Sequence, residues 1–298
     1  MGSLLATLPS LALSDEATLS LPALPEIIEV IQTHLPAIPQ EDIDRAAIQG
    51  ILTEFQSQLE IIPTRSNEAT EPDSQSTALT RYYDSSIAYL ASPIIDGAAL
   101  AAIQQGYNRL ESENILQGLI LDLRHVSGSE YSELTKITGL FTNKSLPLLN
   151  WGEGIKNSEP QPTLIKTPLV ALIDETTQGA GEALAALIRT AKLGILVGRQ
   201  TAGEAHSYDE VPLKTGQTLK LATGSILLAD GEKLGSAGVS PDIFVHKSSA
   251  IPENVSDSSN LEAQTPEEPL SIPSNDPILT RGFELIKGIN IVKGRNRS

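Results

Sequence analysis

Gln117-Gly-Leu-Ile-Leu-Asp-Leu-Arg124 is the stretch that decides the architecture. Its unbroken apolar run describes a strand covered on both faces, and the closing Asp-Leu-Arg marks where the chain leaves the sheet. A second run of the same kind, Leu169-Val-Ala-Leu-Ile-Asp174, passes through Glu175-Thr-Thr-Gln-Gly-Ala-Gly-Glu182 into a segment with helical spacing. Around these two runs, strands are expected at 87–90, 118–123, 168–173 and 195–197, and helices at 97–110, 130–141 and 179–191. Strands that alternate with helices predict an α/β fold, a mostly parallel sheet with covering helices. In such sheets the loops at the carboxyl edge are where ligands bind.

Further out the pattern changes. Residues 147–162, with Trp151, Gly152, Gly154 and three prolines, read as an irregular excursion. Alternating segments at 210–213, 218–222 and 225–229 read as strands, the last closed by a tight turn at Asp230-Gly231. Toward the N-terminus, residues 25–35 and 42–59 carry apolar side chains at three- and four-residue spacing and predict two amphipathic helices. Residues 63–75 and 252–275 are rich in Ser, Thr, Pro, Glu and Asn and read as linkers. The expected division is therefore an apolar tail or signal remnant at 1–14, a helical arm at 15–62 and a linker at 63–79. It continues with a core at 80–250, a disordered linker at 251–275 and a C-terminal helix at 276–298.

The 298 residues carry 37 acidic against 21 basic side chains, a net charge of −16, which repels phosphate backbones and argues against nucleic acid as a partner. Residues 1–76 hold twelve acids against Arg45 and Arg65, a local sum of −10, so the acidity is concentrated outside the core. The chain has no cysteine, which removes thiol nucleophiles, thiolate metal sites and disulfides. No phosphate-binding glycine loop, EF-hand or metal-binding histidine pair is present, so neither cofactor nor metal is expected. The short apolar run at residues 4–13 resembles the end of a secretory signal without its basic region, which points to a secreted or periplasmic protein, with the cytoplasm as the alternative. No run of about 20 apolar residues predicts a membrane span.

Taken in order, Leu121-Asp-Leu-Arg124, Ala180-Gly-Glu182, Val197-Gly198, Thr201-Ala-Gly203, Ala205-His206 and Gly238-Val-Ser-Pro-Asp-Ile243 form a set. The set resembles the C-terminal processing peptidases, also called tail-specific proteases, with relatives such as the tricorn core and the retinoid-binding repeats of the eye. That resemblance implies the family's α/β core over residues 86–245, and a peptide or an unfolded protein segment as partner. Many members insert a PDZ domain ahead of the core; here only the 63–75 stretch stands in that place, so no PDZ domain is expected.

The resemblance also implies a catalytic arrangement from which this chain departs. The family's nucleophilic serine begins the helix, where amides and the helix dipole stabilise an oxyanion, and its counterpart here is Gly179. The family's base is a lysine whose counterpart is Glu204. In the tricorn branch, which uses Ser with His and Glu, the serine falls on the same Gly179 and the Glu near Gly235. Neither branch has its nucleophile, so the implied protein is a pseudopeptidase that binds peptide or serves as a scaffold or regulatory module. The alternative is an active serine-type peptidase with another nucleophile: Ser127 or Ser129 in the turn His125-Val-Ser-Gly-Ser129, or Thr176 or Thr177. Gly128, Ala180, His125 and His206 complete the expected cleft, with the two histidines as acids, bases or ordinary surface residues. The Glu204 carboxylate is expected either in the old oxyanion hole or as an exposed loop group, and Gly179→Ser with Glu204→Lys is expected to regain a trace of activity.

Overall fold

The structure is a computed structural model that describes residues 21–55, 58–63, 79–84, 86–235, 237–247 and 275–295. It divides into two units, residues 1–56 and 57–298. In the first, Pro25 sits in the opening turn of helix α1 (Leu24–His34), where its missing N–H costs nothing. Helix α2 (Gln40–Glu54) follows, and neither helix has a buried residue.

The second unit contains strands β1 (Leu59–Ile62), β2 (Leu79–Tyr83), β3 (Ile87–Ala91), β4 (Gly118–Asp122), β5 (Pro147–Asn150), β6 (Lys156–Asn157), β7 (Leu169–Ile173), β8 (Ile195–Gly198), β9 (His206–Pro212), β10 (Thr218–Leu228), β11 (Lys233–Leu234) and β12 (Ile243–Phe244). Its helices are α3 (Ala99–Glu113), α4 (Glu133–Gly139), α5 (Gly179–Thr190) and α6 (Pro277–Arg295).

The strands form two sheets. The first runs β12-β8-β7-β4-β3-β2, parallel throughout except for β2, which pairs antiparallel with β3. Every residue of β4 and β7 is buried, because successive side chains point to opposite faces and both faces are covered. Leu119, Leu121, Ala171 and Ile173 join the core beneath α3, α4 and α5. Ile120, Val170 and Leu172 meet Ile278, Leu279, Phe283 and Ile286 of α6 on the other face. That helix lies close enough that a Cβ on Gly118 would fall 2.3 Å from Cγ2 of Ile286.

The second sheet is antiparallel and built around β10, whose first half pairs with β1 and β9 and whose second half pairs with β5 and β11. A register shift between Ala222 and Gly224 separates the two halves.

The α/β class and the parallel strands agree with the sequence reading. The second sheet corrects it in three places. Residues 59–62 form β1 and pair with β10, so the helical arm ends before them rather than at 62. The excursion at 147–162 contains β5 and β6, and residues 218–222 and 225–229 belong to one long strand. The C-terminal helix runs over Pro277–Arg295, within the expected 276–298. The expected tail at 1–14, most of the 63–79 linker and nearly all of 251–275 lie outside the described residues.

Candidate functional site

Four loops leave the carboxyl edge of the parallel sheet, after β3, β4, β7 and β8, and backbone hydrogen bonds stitch them together. Ile95 N–H donates to Ser127 O at 2.9 Å and Ser127 N–H to Pro93 O at 3.3 Å. Gln178 N–H donates to Val126 O at 2.8 Å, and Ala202 N–H to Thr177 O at 3.1 Å. Thr176 and Thr177 serve the same stitching. The Thr177 hydroxyl donates to Leu123 O at 2.9 Å, and that of Thr176 donates to Asp174 Oδ1 at 2.5 Å while accepting from His125 N–H.

Gly179 begins α5 with φ +53°, a conformation that disfavours any residue with a Cβ. A Cβ there would stand 2.3 Å from the carbonyl oxygen of Gly128. That same oxygen accepts the Ala180 amide at 2.8 Å. The Gly181 and Glu182 amides both go to Gln178 O. The amides of Ala180, Gly181 and Glu182 at this helix start are therefore turned to main-chain carbonyls. Gly128 itself holds φ +122°, and a Cβ on it would meet Ile95 O at 2.4 Å.

Glu182, fully buried in the first turn of α5, clamps the loop after β8. Its Oε1 accepts from the Thr201 hydroxyl at 2.5 Å and Gly203 N–H at 2.7 Å, and its Oε2 accepts from Glu204 N–H at 2.8 Å. Burial pushes its carboxyl above the usual glutamate range, with the Glu204 charge adding to the rise, against the lowering effect of these hydrogen bonds. Thr201 in turn accepts from Val239 N–H at 2.7 Å. Sequence reasoning treated Glu182 only as part of a motif, because its partners at 201, 203 and 204 lie on a separate loop.

The expected cleft residues fare differently. Glu204 binds through its backbone, and among the described residues its carboxylate forms no hydrogen bond with the amides of 179–182, which favours the loop-group alternative over the oxyanion hole. His125 is exposed with φ +60°, and His206 is half-buried at the start of β9. Neither ring forms a hydrogen bond or ion pair among the described residues. Ser127 contributes its backbone alone. Ser129 is different, for its hydroxyl oxygen accepts from Lys220 Nζ of β10 at 2.5 Å. Lys220 lies 4.6 Å above the Tyr208 ring and 4.0 Å from the Glu60 carboxylate. Lys220 was missed by sequence reasoning because nothing in a strand 91 residues away signals its partner.

Ion pairs frame the edge. Arg199 reaches Glu175 at 2.7 Å and Asp174 at 3.4 Å, and Lys247 also contacts Glu175. The hydrogen bonds from Arg199 and Lys247 pull the Glu175 carboxyl down to about 2. Arg124 pairs with Asp122 at 2.6 Å and with Asp276 at 2.8 Å, tying the start of α6 to the end of β4. Among the described residues no three metal-ligating side chains converge, and no helix is long and apolar enough to cross a membrane.

The model of Peptidase family S41 matches residues 86–245. The chain is 25% identical over 161 residues to the chloroplastic C-terminal processing peptidase of Tetradesmus obliquus, covering 53% of this chain and 34% of that protein. It is 27% identical over 132 residues to the carboxy-terminal processing protease CtpA of Bacillus subtilis, covering 43% and 28%. The chain thus spans about a third of the length of these curated relatives. A solved structure from Parabacteroides merdae shares the fold with a TM-score of 0.53 over 88% of each chain, at 13% identity.

Proposed function

The chain belongs to peptidase family S41, and from that premise we propose that its carboxyl-edge cleft binds an extended peptide or unfolded protein segment without cleaving it by the family's serine–lysine route. One observation carries this reading: the Gly128 carbonyl stands where a Cβ on Gly179 would go and takes the Ala180 amide. A glycine has no atom that can attack a carbonyl, and a glutamate at 204 cannot restore the missing hydroxyl. Loss of a nucleophile alone removes about 10⁶ of rate, and the Ala180 amide, a donor that would sustain the remainder, is engaged.

The other hydroxyls narrow quickly. Those of Thr176 and Thr177 already donate to fixed acceptors, and Thr177 is buried. Ser127 lacks a base within hydrogen-bond reach among the described residues. The names of the curated relatives and the resemblance to tail-specific proteases favour protein segments as the bound class.

The test pairs binding with turnover. Fluorescence anisotropy with a library of extended peptides, run beside a casein degradation assay, is expected to give saturable binding and no cleavage. Casein cleavage at rates of an ordinary peptidase, about 1 s⁻¹ or more, would overturn the proposal, as would the absence of binding to any peptide.

A further inference from the structure

Ser129, in the loop after β4 of the parallel sheet, and Lys220, on β10 of the other sheet, meet at 2.5 Å. Ser129 directly follows Gly128, whose carbonyl binds the Ala180 amide, so the hydroxyl borders the cleft. Lys220 is 17% exposed and is held from one side by the Tyr208 ring face and from another by Glu60. A serine hydroxyl in contact with a half-buried amine is the minimal nucleophile–base pair.

We infer that Ser129 and Lys220 form an acyl-accepting pair for activated esters, distinct from the position the family uses. In its neutral form the Lys220 amine takes the proton of the Ser129 hydroxyl as Oγ bonds to the ester carbonyl carbon. The carbon–oxygen bond to the leaving group then breaks, the leaving group departs with the electron pair, and Lys220 returns the proton to it. Water then bonds to the acyl carbon as Lys220 takes one of its protons, the bond from that carbon to Ser129 Oγ breaks, and Lys220 returns the proton to Oγ as the carboxylic acid departs. The engaged Ala180 amide explains the substrate class. A missing oxyanion donor costs about 10²–10³ in rate, which excludes amides with poor leaving groups and leaves aryl esters and similar activated acyl donors. The pair shares the cleft with the proposed peptide site but does not depend on peptide binding, so the two readings fail separately.

The probe is p-nitrophenyl acetate on the intact chain, read by nitrophenolate release and by peptide mapping. Expected are acetylation at Ser129, its loss in Ser129→Ala, and unchanged release in Ser112→Ala, an exposed serine on α3. Lys220→Met is expected to slow acetylation by about 10²-fold, the usual worth of a general base. Lys220→Arg keeps the cation but cannot accept a proton, so it should behave like Lys220→Met, and it covers the case in which the methionine variant does not fold. Acetylation elsewhere than Ser129, no acetylation above buffer, or a Lys220→Arg protein as reactive as wild type would each overturn the inference.

Discussion

The carbonyl oxygen of Gly128 lies 2.3 Å from where a Cβ on Gly179 would stand, so the two glycines exclude any side chain at the start of α5. They are 51 residues apart in the chain, and the loops after β4 and β7 bring them together through the hydrogen bond from Ala180.

This contact revises the simplest repair experiment. Gly179→Ser adds a Cβ at φ +53° and must displace a backbone carbonyl that is itself held in place by the amide it binds. The variant is expected to lose about 1–3 kcal/mol, and the double variant with Glu204→Lys to show no peptidase activity, instead of the trace that the sequence alone would anticipate. Urea unfolding and casein hydrolysis check both statements; a double variant as stable as wild type that cleaves casein would show that the Gly128–Ser129 peptide turns over freely.

Two carboxylates give opposite pH dependence. Burial raises Glu182, so the folded protein holds that proton more tightly than the unfolded chain does. Its contribution to stability is greatest in acid and declines as pH rises from about 4.3, the unfolded value, through the raised folded value. Glu175 is lowered to about 2 by Arg199 and Lys247, so its contribution is present above the unfolded value and is lost as pH falls through about 2. Denaturant unfolding from pH 2 to 8 is expected to show Glu182→Gln flattening the first trend and Glu175→Gln the second. Curves parallel to wild type would contradict the assignment.

Glu182→Gln should also cost stability at neutral pH. Three donors converge on the carboxylate, and a glutamine turns an N–H₂ toward one of them. The expected loss is about 1–3 kcal/mol, accompanied by faster amide exchange at Gly203 and Glu204.

At the far end of the chain, Asp276 accepts from Leu279 N–H at 3.0 Å and pairs with Arg124, so it caps α6 and fastens it to the sheet. Asp276→Ala removes both and leaves Arg124 with Asp122 alone among its ion-pair partners. A loss of about 1–3 kcal/mol and accelerated hydrogen exchange across α6 are expected; unchanged exchange would mean that Phe283 and its apolar neighbours hold the helix without the cap.

The parallel sheet was legible because β7 is apolar throughout and β4 is so up to its closing Asp122, a pattern that two-sided burial produces. The second sheet was not. Ile51, Leu52, Phe55 and Leu59 continue a helical spacing, and only the partner β10 draws Leu59 out of the helix and into a strand. At the site, the motifs located α5 and the loop after β8, since local turns carry local signals. The Gly128–Gly179 approach and the Ser129–Lys220 contact depend on how separate loops and sheets meet, which no short stretch of sequence encodes.

Glu182 grips the loop after β8 through the Thr201 hydroxyl and the amides at 203 and 204. Those amides are supplied by any residue except proline, so the course of the loop is indifferent to which side chain position 204 carries. Shape and reactivity are thus inherited through different atoms. Replacements at 204 leave the amide contacts in place and alter only the charge beside Glu182, so a domain of this kind can change its chemistry while its loop keeps its course.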